Sequence, residues 1–97
     1  MKTLVVYDIS DDGIRLEVSE KCKDFGLSRI QKSAFLGYLD SSQRKELASS
    51  LSRILGGEDG NIQLFVICNP DLTLRISIGK PFKESPDEGV VIVWRRL

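Results

Sequence analysis

The chain contains no histidine. That absence removes the commonest general base, the Ser-His-Asp and Cys-His nucleophile systems and the usual zinc ligand. Any hydrolysis by this chain has to rely on carboxylates, a water activated by a metal, or lysine. Cysteine is scarce as well. Cys22 and Cys68 are far apart and neither has a CxxC partner, which disfavours a zinc site or redox pair and leaves both as small buried hydrophobes. No apolar stretch approaches the roughly 20 residues a membrane helix needs, so no membrane role is expected. The amino terminus, where Asp8 interrupts a very short apolar run, lacks the hydrophobic region and cleavage site of a secretory signal, and a cytoplasmic location is expected. An excess of one charge is also missing. The 14 basic and 14 acidic residues cancel, which argues against nonspecific nucleic-acid binding driven by bulk charge.

What is present describes one ordinary globular domain over residues 1–97, with 41% hydrophobic and 29% charged residues. A chain of this size builds only a modest core, and oligomerisation would help it bury apolar surface. The charges are unevenly placed. From Asp8 to Asp24 six acids oppose three bases, whereas from Arg29 to Arg53 five bases oppose two acids. The second region offers a polyanion a basic face, or its charges simply interleave on solvated helices.

The order of elements follows from periodicity and punctuation. Lys2 to Asp8 reads as a short strand buried on both faces in the middle of a sheet. Asp11 or Asp12 can cap a helix whose apolar stripe is Ile14, Val18, Cys22 and Phe25, with Gly26 at its exit. Arg29 to Leu39 is one long bent strand or two short paired ones, with Gly37 permitting a bulge or close backbone approach. Asp40 and Gln43 form a helix-start signal for a second helix with the stripe Leu47, Leu51, Ile54 and Leu55. Ile62 to Cys68 reads as a second central strand, and Leu72, Leu74, Ile76 and Ile78 alternate as a strand with one wet face. Residues 80–97 form a polar connection and then a last strand, Val90 to Trp94, able to pair with a partner subunit. These elements make an α+β sandwich, an antiparallel sheet with two helices on one face. Two helices leave the other face bare. If Phe35, Phe65 and Ile67 lie there, a second subunit is the economical cover, so a homodimer through the sheet is expected.

Asp8 is the best candidate for chemistry. A carboxylate at the mouth of a strand, followed by Ser10-Asp11-Asp12, can hold a hard divalent cation through oxygen ligands, or it can hydrogen-bond loop amides. Asp11 and Asp12 read as caps. Tyr7 reads as a core or interface aromatic. Ser33 reads as a strand residue, since a nucleophilic serine needs a base that is absent.

Tyr7-Asp8-Ile9, Asp11-Asp12, Arg15, Gly26-Leu27, and then Arg29, Gln31, Ser33, Phe35 and Gly37 together resemble the small CRISPR-associated endonucleases of the spacer-acquisition machinery, the Cas two family. The likeness runs to about Cys68. It implies a ferredoxin-like domain that dimerises through its sheet, with the Asp8 residues of two copies facing each other across the two-fold axis and holding Mg²⁺ or Mn²⁺. It further implies metal-dependent cleavage of phosphodiester bonds in RNA or DNA, in spacer acquisition for antiviral defence. Asp8, Arg15 and Arg29 would be catalytic, and Arg15, Arg29 and Lys32 would meet nucleic acid. Tyr7 and Phe35 would lie at the interface or cleft. Glu17 stands where many relatives carry a second basic residue, and Ala34 where they often carry Val. The resemblance also allows a noncatalytic dimeric scaffold that bridges the CRISPR integrase and captured DNA. A small-molecule-binding regulatory domain on the same fold has no dedicated ligand loop to support it.

Overall fold

The computed structural model describes residues 1–80 and residue 82. Along the chain run β1 (Lys2–Ile9), α1 (Asp12–Asp24), β2 (Ser28–Gln31), β3 (Ala34–Tyr38), α2 (Ser41–Leu55), β4 (Gly60–Ile67) and the short α3 (Asn69–Thr73). The four strands form one antiparallel sheet in the order β2-β3-β1-β4. Up to β4 this is the ferredoxin-like arrangement that the family resemblance implied.

Both helices begin where their carboxylates predict. The Ile14 backbone N–H donates to Asp11 Oδ2 at 2.8 Å, which caps α1. The start of α2 is a full capping box: Gln43 N–H donates to Asp40 Oδ1 at 2.7 Å, and Asp40 N–H donates to Gln43 Oε1 at 3.0 Å. Their apolar stripes then meet the sheet. Val18, Cys22, Leu47 and Leu51 pack in one core with Val5, Tyr7, Ile9, Leu27, Phe35 and Leu39. Each side chain of the Leu or Phe class buried there stabilises the fold by about 1.5–3 kcal/mol.

Strand alternation decides which residues the helices cover. On β1 the odd positions Thr3, Val5, Tyr7 and Ile9 face the helices and are buried. The even positions, Lys2, Leu4, Val6 and Asp8, face the other way, so β1 is central in the sheet but not buried on both faces. Phe35 corrects an expectation. It pairs with Val5 across β1 and β3, which places it under the helices rather than beside Phe65 and Ile67 on the open face. β4 lies at the edge of the described sheet, not at its centre. Arg29 to Leu39 forms two paired strands, and the register shifts between Arg29 and Gln31.

The segment from Leu72 to Ile78 also departs from the expected strand. Pro70, which has no N–H and a φ suited to a helix start, stands in the first turn of α3, and no strand follows through residue 80. Cys68 is exposed, while Cys22 is buried. The expected strand Val90 to Trp94 lies outside the described residues.

Candidate active site on the open face of the sheet

Asp8 occupies the penultimate position of β1, on the face that neither α1 nor α2 covers, and it is exposed. Its placement follows from parity. Tyr7 and Ile9 are drawn into the helix-side core, so the intervening side chain is turned outward. On one flank Asp8 pairs with Asn61 of β4 in the antiparallel register. On the other flank is the β2–β3 hairpin tip, where Tyr7 N–H donates to the Ser33 carbonyl at 3.0 Å. Lys32, exposed, lies in that tip. The tip and the start of β4 thus meet at the end of β1 that carries Asp8.

Arg15 supports the same corner from inside the chain. Its Nη1 donates to the carbonyl of Ile9 at 3.0 Å and to that of Ser10 at 3.3 Å, and its Nη2 pairs with Asp12. The guanidinium therefore ties the first turn of α1 to the exit of β1, at the two carbonyls that follow Asp8. Arg29 points to the helix side. Its guanidinium lies 5.0 Å from the Phe35 ring centroid and 5.8 Å from that of Phe82, and its Nη1 donates to the Lys32 carbonyl at 3.2 Å. Cys22 is also near this charge. Burial pushes its thiol up to about 12, opposed by attraction to Arg29.

Tyr7 and Phe35 stack with ring centroids 6.4 Å apart and planes 17° apart. Both lie in the helix-side core, 4% and 0% exposed, rather than on the open face with Asp8. They hold the neighbouring backbone in place from beneath. Glu17 lines a shallow groove of about 350 Å³ with Lys21, Ser50, Arg53 and Ile54, on the helix layer opposite the open face.

Two polar residues that carry no motif share the open face with Asp8. Gln63 Nε2 donates to Asn61 Oδ1 at 2.9 Å, and both side chains are exposed. The only trace of them in the sequence is their alternation with Ile62 and Leu64, which marks a wet face inside an otherwise apolar run. Further along that face Val6 and Phe65 are 38% and 47% exposed, and Lys2 Nζ lies 4.8 Å from the Tyr38 ring centroid. A carboxylate at the end of a half-apolar sheet face that no described helix covers is thus the arrangement to be explained.

Comparison with known proteins bears on it. The family model for CRISPR associated protein Cas2 matches residues 1–73. A CRISPR-associated endoribonuclease Cas2 of Korarchaeum cryptofilum is 48% identical over 80 residues, covering 82% of this chain and 86% of that one. A CRISPR-associated endonuclease Cas1/endonuclease Cas2 fusion of Thermoproteus tenax is 38% identical, covering 78% of this chain and 30% of the fusion. Among solved structures, Streptococcus pyogenes Cas2 superposes with a TM-score of 0.71 at 20% identity, covering 81% of this chain and all of that one (100%), and so shares the fold.

Proposed function

Because this chain belongs to the CRISPR-associated Cas2 family, we propose that it is a metal-dependent endonuclease that cleaves phosphodiester bonds of RNA or DNA at Asp8, acting in spacer acquisition. The observation that carries this reading is the exposure of Asp8 on the face of the sheet that no described helix covers. A homodimer packed through that face would bring two Asp8 carboxylates together.

The donor set suits a hard cation in kind. Asp8 supplies carboxylate oxygens, the ligand type that Mg²⁺ and Mn²⁺ prefer. In number it is incomplete in one copy. Among the described residues no three His, Cys, Asp or Glu side chains cluster so as to hold a metal ion, and the Asp8 of a second copy completes the site. Asp8 of each copy would hold the divalent cation, whose chemistry there would be to polarise a phosphoryl oxygen and make water a better nucleophile at neutral pH. The chain's own residues do the positioning. Arg15 fixes the exit of β1, the Tyr7–Phe35 stack fixes the strand beneath, and Lys32 brings positive charge to the hairpin tip. No histidine is needed.

Purified protein titrated with Mg²⁺ and with Mn²⁺, against single-stranded RNA and duplex DNA, tests the reading. Wild type should cleave at least one substrate in a metal-dependent way and Asp8→Asn should not, with both eluting as the same dimer. Equal turnover by the two proteins would refute it. A second reading, a scaffold that bridges integrase and captured DNA, draws on the Thermoproteus tenax relative, in which a Cas1 endonuclease and a Cas2 are one chain. Under that reading Asp8→Asn acquires spacers normally, and removal of residues 90–97 abolishes integrase binding.

A further inference from the structure

The two arginines assigned to phosphate by family likeness are engaged within the protein. Arg15 is bound to the carbonyls of Ile9 and Ser10 and to Asp12, and Arg29 lies against Phe35 and Phe82 with its Nη1 on the Lys32 carbonyl. The side chains that flank Asp8 on β4 are instead two primary amides. Asn61 stands directly opposite Asp8 in the register, and Gln63, two residues on, presents its side chain to the same face. Gln63 Nε2 donates to Asn61 Oδ1. That bond occupies the Asn61 oxygen and fixes the orientation of its amide. It leaves both N–H groups of Asn61 Nδ2, and the second N–H of Gln63 Nε2, without an acceptor among the described residues.

We propose that the Asn61–Gln63 amide pair is the phosphate-receiving half of the Asp8 site, donating N–H groups to a nonbridging oxygen of an RNA or DNA phosphodiester seated beside the Asp8 carboxylate. The proposal rests on the reading of Asp8 as the centre of cleavage and assigns the substrate contact within it. Neutral amides are the appropriate donors at this position. Directly opposed residues on neighbouring strands have Cβ atoms about 4.5–5.5 Å apart, so a lysine or arginine opposite Asp8 would pair with its carboxylate and compete with a divalent cation. An amide supplies N–H donors without that competition. The pair is also directional, because Gln63 holds the Asn61 oxygen toward itself and turns the N–H groups away.

The test is binding of labelled single-stranded RNA and labelled duplex DNA, followed by fluorescence anisotropy with divalent metal removed by chelation so that nothing is cleaved. Wild type is compared with Asn61→Ala, Asn61→Asp and Asp8→Asn. Asn61→Ala should weaken binding of at least one probe by roughly ten-fold, the size expected for hydrogen bonds to a charged acceptor. Asn61→Asp keeps the shape but replaces donors by acceptors and should weaken it further, which also carries the test if Asn61→Ala melts at a lower temperature. Asp8→Asn should bind as tightly as wild type or more tightly. Wild-type binding of both probes by the Asn61 variants would overturn the proposal. Stronger Mn²⁺-dependent cleavage by Asn61→Asp with unchanged binding would also overturn it, since position 61 would then serve the cation. If Asp8→Asn still cleaves once metal is restored while the Asn61 variants have lost binding, it is the placement of cleavage at Asp8 that fails, and the amide contact to nucleic acid stands.

Discussion

Arg15 has its guanidinium turned back onto the carbonyls of Ile9 and Ser10, so its effect on Asp8 is transmitted through the backbone. Arg15→Ala should cost about 1.5–3 kcal/mol of stability, the value of hydrogen bonds involving a charged group. It should lower the turnover number far more than it weakens binding of uncleaved RNA. A large loss of binding with unchanged stability would place the guanidinium on phosphate instead. Cys22 makes a pH prediction. Its thiol is raised from an ordinary 9.0 to about 12 by burial. Above pH 9.0 the unfolded chain releases this proton while the folded chain retains it, so the unfolded state binds fewer protons and stability falls as pH rises from 9.0 toward about 12. The contribution is complete below pH 9.0 and declines above it by at most about 1.4 kcal/mol per pH unit. The urea midpoint of wild type should therefore drop more steeply across this window than that of Cys22→Ala, and parallel slopes would contradict the assignment. Cys68, exposed on the other side of β4's end, should react with maleimide in the native protein, whereas Cys22 should react only after unfolding.

β3 is an inner strand of the sheet, and Gly37 is its tight point. A Cβ there would lie 2.7 Å from Leu27 Cδ2, 3.2 Å from Leu27 Cα and 3.3 Å from the Gly26 carbonyl oxygen. Two of these neighbours are backbone and cannot swing away, so Gly37→Ala should destabilise the fold by about 1–3 kcal/mol in urea titration. A neutral result would mean that the Gly26–Leu27 turn yields readily. This glycine was legible in the sequence as a site of close backbone approach, and the two helices were legible from their caps and stripes. β1 and β4 were recognisable as strands because apolar runs bounded by turn residues have few other solutions. The face of each side chain was not. Whether Phe35 joins Tyr7 or Phe65 depends on pairing parity, and a strand alone does not state its register. The strand expected from Leu72 to Ile78 failed because Pro70 committed the chain to a helical turn first, and alternation of apolar residues does not by itself pair a segment with the β4 edge. Asp8 was legible because a charge ended an apolar run. Asn61 and Gln63 were missed because polar residues alternating within a strand look the same on any wet face.

At the scale of the whole molecule, the described helices cover one face of the sheet and leave the other open, and the open one mixes Val6 and Phe65, more than a third exposed, with the polar corner at Asp8. Two copies packed through these faces would remove the apolar part from water and bring the two corners together. Replacing Phe65 by a charged residue should then shift the dimer toward monomer in sedimentation, and cleavage should fall in parallel with dimer content. Retained cleavage by a monomer would separate the chemistry from the pairing. The central claim, that the active site is shared and needs both Asp8 carboxylates, is tested most directly by a mixed dimer of one wild-type and one Asp8→Asn protomer, purified through two different tags and assayed with Mn²⁺ on single-stranded RNA. A shared site predicts cleavage by the mixed dimer as low as by the Asp8→Asn homodimer. About half of wild-type activity, the result for two independent sites in a symmetric dimer, would contradict it.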